Sequence, residues 1–452
     1  MATEVAVISA SSGVRTFYST YTAARTAANA YDTIEIWADL TNEQILLKHL
    51  VDIWIVPGRV IDMSSALATI VDNDGTYTTA VTCNITGYGI IKNNNNSGNC
   101  IKIINGSSNV SIQCDVVEGL GGFGTTGNLY GSASVLIKNI TDNQKFSLIC
   151  NKISNQYNSA VAFDNVSSGT NKNVINIRSK RIDTGVADDD NVTPALVLKG
   201  TGFVDIEETN SLNSSSCLLH QGGTVTANIL KMTTKNVNHF SAPYFPAVEV
   251  SGGDGTQRLN LYFDEIQNLL GGDSVKVSNG TASLIGRRIY SQSGLSMDLS
   301  SNSDCICDEI ISGTKGIYIH NGSSQKIIID SNYIEGGNGN SGVIKSAFGS
   351  NYVLRNAKIK NISSSGDSVC IYIDSGSSST DQTIEIENLI LVTGNTSSGK
   401  PIFRAGATSI DIKNLGLFVN LGIDRTKIIL KIGTGIEPTV GNFKYIISPD
   451  VT

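Results

Sequence analysis

Charged residues are scarce in this sequence, and so are proline, methionine and aromatic residues. Only 16% of its 452 residues are charged, 6% are aromatic, and there are 7 Pro and 4 Met. The net charge of -7 excludes a strongly basic surface, so nucleic acid is not an expected partner. No apolar run approaches the ~20 residues of a membrane span, and the first residues lack the pattern of a signal peptide. The sequence therefore predicts a soluble protein that is made in a cytosol and does not bind a membrane.

The 8 cysteines do not form a disulfide or metal-binding pattern. Several lie inside aliphatic stretches such as CIKII and CIYI, which favours small buried side chains over disulfides. Cys305 and Cys307 are too close together for a zinc-knuckle pair, and no second pair completes such a site. We therefore expect no metal and no cofactor.

Glycine, serine, threonine, asparagine and isoleucine are abundant, and they recur in short phrases. Twelve phrases alternate apolar and polar residues and most of them end in a turn pair, among them AVAFDN at 160, SVKVSNG at 274, GIYIHNG at 316 and CIYIDSG at 370. Their average step is roughly 27 residues, which is a solenoid period. Alternation over a few residues is typical of a strand with one buried face. The sequence thus predicts a stack of short strands.

A second apolar burst follows each turn, as in KFSLICNKI, QKIIIDSNYI and QTIEIENLI. No period contains a helical pattern long enough for a crossover helix, which disfavours a sheet of alternating strands and helices and a leucine-rich horseshoe. An asparagine recurs two residues after an aliphatic strand position, where its tolerance of left-handed backbone suits a turn. We predict that these residues form a structural ladder along the stack, with the members Asn139, Asn151, Asn356, Asn388 and Asn414. Beside them, Asp330, Arg355, Glu387 and Lys413 predict a surface ladder of alternating charge.

These phrases, turn pairs and asparagines resemble the right-handed parallel β-helix of the pectate-lyase-like superfamily, to which phage tailspikes also belong. The resemblance covers roughly residues 32 to 448. In that family a short helix caps the first coil, and TAARTAANAY, residues 22–31, is similar to such a helix. The resemblance implies an all-β fold, a single-stranded right-handed parallel β-helix of about twelve or more coils with a short N-terminal capping helix. The expected parts are a segment with the capping helix over 1–31, the β-helix over 32–424 and closing strands over 425–452.

Catalytic residues are harder to find. Related enzymes cleave polysaccharides with two carboxylates or with a base and a supporting cation. The paired-Asp, Gly-His-Gly and Arg-Ile-Lys motifs of galacturonan hydrolases and the basic motif of the lyases are missing, so we expect no strong pectate-type activity. Asp188, Asp189 and Asp190 are weak catalytic candidates, although an acidic triplet in a long turn is usually solvated surface. His320 is expected to serve a turn or stacking role rather than to act as a general base.

Three functions remain open. The preferred one is a bacteriophage virion structural protein, a tailspike, tail fibre or appendage subunit made in the host cytoplasm. Such a protein would form a rigid rod that binds a host-surface glycan or another virion protein, and the resemblance implies a homotrimer. The alternatives are a polysaccharide depolymerase, with sites completed by neighbouring subunits, and a bacterial surface adhesin. The adhesin would need an export signal, which is not visible.

Overall fold

The structure is a computed structural model in which the chain forms two compact units, unit 1 from Met1 to Pro243 and unit 2 from Tyr244 to Thr452. The repeat pattern continues through the boundary between the two units without interruption. The residues that the structure describes are 4–73, 79–104, 108–121, 131–138, 145–164, 175–184, 194–212, 216–235, 245–251, 256–320, 325–337, 342–347, 350–363, 369–374, 383–392, 400–405, 409–413, 416–417, 429–432, 439–440 and 444–445.

Unit 1 holds one short helix and 21 described strands. In chain order the elements are β1 (Val5–Ile8), β2 (Arg15–Tyr18), α1 (Tyr21–Ala27), β3 (Thr33–Ile36), β4 (Leu40–Thr41), β5 (Ile45–Leu46), β6 (Asp52–Ile55), β7 (Val60–Met63), β8 (Ile70–Val71), β9 (Thr82–Gly87), β10 (Ile90–Asn93), β11 (Ile101–Ile103), β12 (Asn109–Gln113), β13 (Val116–Gly119), β14 (Val135–Lys138), β15 (Phe146–Asn155), β16 (Val161–Asp164), β17 (Ile175–Thr184), β18 (Leu196–Lys199), β19 (Gly202–Leu212), β20 (Leu218–Gly222) and β21 (Thr224–Lys235).

Unit 2 contains only strands among its described residues. They are β22 (Val248–Val250), β23 (Arg258–Asn268), β24 (Val275–Val277), β25 (Thr281–Ser291), β26 (Met297–Leu299), β27 (Asn302–Ser312), β28 (Ile317–Ile319), β29 (Ile327–Gly336), β30 (Ile344–Ser346), β31 (Asn351–Arg355), β32 (Lys358–Asn361), β33 (Val369–Asp374), β34 (Thr383–Glu387), β35 (Ile390–Val392), β36 (Lys400–Ala405), β37 (Ser409–Lys413), β38 (Gly416–Leu417), β39 (Ile429–Ile432), β40 (Thr439–Val440) and β41 (Lys444–Tyr445).

Each unit is a parallel β-helix, which confirms the predicted all-β fold class. Every coil contributes to three faces. Within a coil, the first two faces are formed either by two separate strands or by the two halves of one long strand. For example, β12 and β13 are separate strands, and they pair in parallel with the first and second halves of the long strand β15. The third face is a separate, wholly parallel sheet, with seven described strands in unit 1 and eight in unit 2. The 15 described strands of this sheet agree with the prediction of about twelve or more coils.

The long strands bend where two successive side chains point outwards. Along β23 the inward and outward positions alternate until Asp264 and Glu265, which both face solvent, and alternation resumes at the buried Ile266. The same pattern occurs at Glu207–Glu208 in β19 and at Asp308–Glu309 in β27. Both acids of each pair face outwards because the strand turns a corner between the first and second faces at these positions.

Stacked aliphatic side chains fill the interior. Ile34, Ile53 and Ile85 occupy partnered positions of β3, β6 and β9, and each is at most 1% exposed. Burial of one such side chain contributes about 1.5 to 3 kcal/mol. All eight cysteines are buried and free, as predicted, and burial raises the pKa of Cys307 to about 12.

Two elements cover the first coil of unit 1. Strand β1 pairs antiparallel with β3 and with β2, so it covers the free edge of the first face. The predicted helix is present but shorter than expected. It spans Tyr21–Ala27, begins at an N-cap formed by Thr20 and ends because Ala28 is extended. The helix adjoins the third face, where the hydroxyl of Tyr21 donates to the carbonyl of Leu46 at 2.9 Å.

The segment predicted to close the β-helix also contains coil-forming strands. Strands β39, β40 and β41 pair in parallel with β36, β37 and β38. The described strands within 425–452 thus belong to the same three faces as those before them.

Candidate functional site

The predicted catalytic carboxylates Asp188, Asp189 and Asp190 lie outside the described residues, so their role remains a prediction.

Three of the five predicted ladder asparagines are described, and Asn139 and Asn414 are not. Asn356 and Asn388 adopt left-handed backbone with φ of 58° and 54° at the corner between the first and second faces. Their side chains meet, since Asn388 Nδ2 donates to Asn356 Oδ1 at 3.1 Å. Asn151 lies at a corner in unit 1, where it donates to Asp115 at 2.7 Å. The charge ladder has the predicted register, because Arg355 is partnered with Asp330 and Glu387.

A second set of asparagines, which the sequence interpretation missed, is buried at the corner between the second and third faces. Its members are Asn93 and Asn155 in unit 1 and Asn268 and Asn361 in unit 2. In each, Oδ1 accepts the backbone N–H two residues later, at 2.8 to 3.1 Å. Each Nδ2 donates to backbone carbonyls of the turn or of a neighbouring coil. These residues satisfy buried backbone groups where the chain leaves one sheet for the next.

A column of functional side chains runs up the outside of the third face of unit 2. Strand pairing aligns the central outward residues of β24, β26, β28, β30 and β33. These residues are Lys276, Asp298, Tyr318, Lys345 and Tyr372. Neighbouring strands are about 4.8 Å apart, so the column presents charged and aromatic groups at a fixed, short spacing.

His320 joins the lower part of this column. Its Nε2 lies 2.7 Å from Asp298 Oδ1, and its ring stacks on that of Tyr318 with 4.8 Å between centroids and 17° between planes. This geometry shows the stacking contact that was expected for His320. The contact with Asp298 also fixes the orientation of the imidazole beside the tyrosine face.

Lys345 lies between two aromatic rings. Its Nζ is 5.5 Å from the ring centroid of Tyr318 and 5.9 Å from that of Tyr372. An ammonium group within about 6 Å of a ring face is attracted by the ring quadrupole. The two tyrosines therefore hold the lysine head at the surface of the sheet.

A groove of about 290 Å³ borders the column, lined by Leu295, Lys315, Gly316, Ile317, Tyr318, Gly342 and Lys345. Glycine is required at two of these positions. A Cβ on Gly316 would collide with the carbonyl oxygen of Val343, and Gly342 has a φ of 78°. The groove is thus bounded by backbone at one side and by a tyrosine and two lysines at the other.

Asp273 lies close to this groove and is half-buried. Burial raises the pKa of its carboxyl, and the nearby carboxylate of Asp298 raises it further. A hydrogen bond of 2.9 Å from the Leu295 N–H and the ammonium groups of Lys276 and Lys315 oppose the shift. A carboxyl group with a raised pKa beside a second carboxylate is a pattern found at sites of proton transfer. The cluster could therefore bind a ligand and exchange a proton with it.

Unit 1 has a groove of its own, about 310 Å³ in volume, on its first face. Exposed Tyr88 and Ile149 contribute apolar surface, and Arg178 lies opposite Asp205 at 3.9 Å. Asn228 also donates to Asp205 at 3.1 Å. Because these charges are already paired with one another, we regard the unit 2 column as the stronger candidate site.

Other kinds of site are not evident in the described part of the chain. It contains no group of three or more His, Cys, Asp or Glu side chains arranged to hold a metal ion. None of its helices has the length and apolarity needed to cross a membrane. Comparisons of the chain with protein-family models, with curated proteins and with solved structures gave no match.

The sequence contained a signal for this column that was not used. When GIYIHNG, GVIKSAFG and CIYIDSG are aligned by their buried isoleucines, Tyr318, Lys345 and Tyr372 fall at one position.

Proposed function

We propose that the protein is a structural subunit of a bacteriophage particle, a tailspike, tail fibre or appendage component, whose β-helix binds a host-surface glycan or another virion protein. The observation that carries the binding role is the column of Tyr318, Lys345 and Tyr372 on the third face of unit 2. The homotrimer and the location in the virion remain parts of this proposal.

The column has the chemistry that saccharide recognition requires. Aromatic rings offer apolar faces with a polar tip, and charged groups nearby supply directional hydrogen bonds. The strands on which these residues lie are hydrogen-bonded on both sides, so the side chains are held in place before a ligand arrives. Such preorganisation reduces the ordering cost of binding.

The test is to measure binding of the purified protein to host cells and to their isolated surface polysaccharide, and to probe phage particles with an antibody against the protein. We expect both to be positive, and we expect Tyr318→Ala and Tyr372→Ala to weaken polysaccharide binding about tenfold or more. Tyr262→Ala is the matched control, because Tyr262 is an exposed tyrosine on the first face of the same unit. Equal binding by all three variants would contradict the assigned site, and absence from particles would contradict the virion role.

A polysaccharide depolymerase is the second candidate, favoured by Asp273 and Asp298. A carboxyl whose pKa is raised by burial, as at Asp273, can donate a proton to a glycosidic oxygen, and hydrolysis uses a second carboxylate as base or nucleophile. Incubation with host polysaccharide would then release new reducing ends or produce unsaturated uronate absorbance, and Asp273→Asn would abolish either signal. If neither signal appears while binding persists, the depolymerase candidate is wrong and the binding role stands.

A further inference from the structure

We propose that two copies of the chain associate by pairing their β2 strands antiparallel, with Thr16 of one copy opposite Thr16 of the other. This inference goes beyond the proposed function, because it concerns the first strands of unit 1 rather than the third face of unit 2. It is carried by the free edge of β2 and by the side chains along that edge.

One edge of β2 has backbone groups available for a further strand. Strand β2 pairs with β1 on one side, and no other strand in the described part of the chain pairs with it. The Ser9 N–H donates to the Val14 carbonyl at 3.0 Å, so residues 14, 16 and 18 direct their backbone groups towards β1. The N–H and C=O groups of Arg15 and Phe17 therefore point to the free edge.

Several devices that usually prevent an edge strand from pairing are missing here. Such devices include proline, a β-bulge and an unpaired charge. The strand, RTFY, has one charged residue, Arg15, whose guanidinium binds Glu35 of β3 at 2.8 Å and lies 5.5 Å from the ring centroid of Trp37. This charge is thus directed away from the free edge. Phe17 is 50% exposed and Val14 is 58% exposed, so the edge presents apolar side chains to solvent.

A second copy of β2 complements this edge when the pair is centred on Thr16. In that register Arg15 faces Phe17 of the second copy, and the two residues exchange backbone hydrogen bonds. On the other side of the strands, Val14 faces Tyr18 of the second copy, and the two Thr16 side chains meet. Aromatic residues opposite β-branched ones, and threonine opposite threonine, are favourable cross-strand pairs.

The neighbouring registers fit less well. A pair centred on Arg15 would oppose two arginines, which is destabilising. A pair centred on Phe17 would leave the exposed Val14 outside the paired strands. The register centred on Thr16 covers both apolar side chains and opposes no like charges, so a second copy of this chain is the partner that fits the edge.

The experiment is sedimentation velocity of the full chain over a range of concentrations. About five residues of each copy take part in the strand pair, fewer than in a standard interface, so we expect a dissociation constant of about 1 to 100 μM. The associated species should have twice the mass of the 47.9 kDa chain, or twice the mass of a trimer if the chain also trimerises.

The variant is Phe17→Lys, which places a lysine opposite Arg15 of the second copy at both ends of the pair. We expect it to weaken self-association at least about tenfold, because lysine on an edge strand opposes pairing. Leu67→Lys is the matched control, since Leu67 is another exposed apolar residue of unit 1, 58% exposed and outside β2. It should associate as the wild type does.

Cross-linking tests the register independently of Phe17. Opposed residues of a non-hydrogen-bonded pair have Cα atoms about 4.5 Å apart, which is within disulfide range. Thr16→Cys should therefore form an intermolecular disulfide when air oxidation is catalysed by copper phenanthroline, whereas the wild type, whose eight cysteines are buried, should not. A mixture of Val14→Cys and Tyr18→Cys should cross-link, and either variant alone should not.

The inference is overturned if the wild type shows no concentration-dependent association, if Phe17→Lys and Leu67→Lys both associate as the wild type does, or if Thr16→Cys fails to cross-link. Circular dichroism checks that Phe17→Lys is folded, and the cross-linking result stands even if it is not. Polysaccharide binding by Tyr318 and Tyr372 is measured separately, so failure of the strand pair and failure of the proposed function are distinguishable.

Discussion

The imidazole of His220 should make the stability of unit 1 depend on pH. His220 is 0% exposed on the third-face strand β20, and its Nδ1 lies 3.2 Å from the carbonyl oxygen of Leu198. Burial lowers the pKa of this histidine to about 4, and the contact with the Leu198 carbonyl offsets only part of the effect. The folded protein therefore buries a neutral ring that would be protonated in water below about pH 6.5.

The sign and size follow from proton binding. Between about pH 6.5 and pH 4 the unfolded chain binds a proton at His220 that the folded chain does not, so acidification favours unfolding. The stabilisation is fully present above about pH 6.5 and is lost as the pH falls towards 4. For pKa values of 6.5 and about 4, the loss between pH 7.5 and pH 4.5 is about 2.5 kcal/mol.

The assay is hydrogen exchange of the backbone amides in strands Leu196–Lys199 and Leu218–Gly222, for the wild type and His220→Met. A long repeat array need not unfold in one step, so a local measurement is preferable to a global midpoint. Wild type and variant are compared at the same pH, which cancels the intrinsic pH dependence of exchange. We expect the wild type to lose about 2.5 kcal/mol of protection relative to the variant when the pH falls from 7.5 to 4.5.

The control is His49→Met, which removes an exposed histidine from the same unit. This variant should lose as much amide protection as the wild type when the pH falls from 7.5 to 4.5. The reasoning about His220 would be refuted if wild type and His220→Met lost the same protection on acidification.

Two further predictions concern the corner asparagines of unit 2. Asn268→Leu should destabilise the protein by about 3 kcal/mol, measured by chemical denaturation, because it leaves the Phe245 and Asp273 carbonyls and one backbone N–H unpaired. The exposed Asn332→Leu serves as its control and should change stability by no more than about 0.5 kcal/mol; similar losses for both would contradict the role of burial. Asn356→Ala should cost about 1 kcal/mol more than Asn356→Gly in the same assay, because φ is 58° there, and equal costs would show that backbone conformation is not the cause.

Much of the fold could be predicted from local patterns, because each coil of a β-helix repeats the same short-range pattern of apolar strand residues and turn residues. The sequence pattern from Ser368 to Gly394 predicts a strand, a turn, a second strand and a corner at Asn388. The structure has strands at Val369–Asp374 and Thr383–Glu387, then left-handed Asn388. Alternation and turn residues are sufficient for this, since each strand needs only one buried face and a stacked neighbour.

The corners inside the long strands could not be predicted in the same way. A bend at Asp264–Glu265 leaves the chain in extended conformation on both sides, so it has no glycine or proline to mark it. The signal of such a bend is a pair of adjacent polar residues within a strand whose residues otherwise alternate between apolar and polar. A strictly alternating strand would place one member of that pair in the interior. The buried asparagines were missed for a related reason. Asn268 is the last residue of β23 and precedes a glycine-containing turn, so in the sequence it resembles an ordinary turn residue, and the stacking of coils buries it.

The candidate site lies where the fold makes the weakest demands on sequence. In β24, β26 and β28 the two flanking residues, such as Ile317 and Ile319, are buried and apolar, whereas the central residue faces outwards. Lysine, aspartate and tyrosine all occupy that central position in successive coils. Packing does not constrain the residue type at the outward position, so a residue required for binding can be placed there. Substitutions at this position should change binding while leaving the coils intact. Composition and motif searches could not locate such a site, because its residues are separated by a whole coil in sequence and adjoin one another only through the register of the stack.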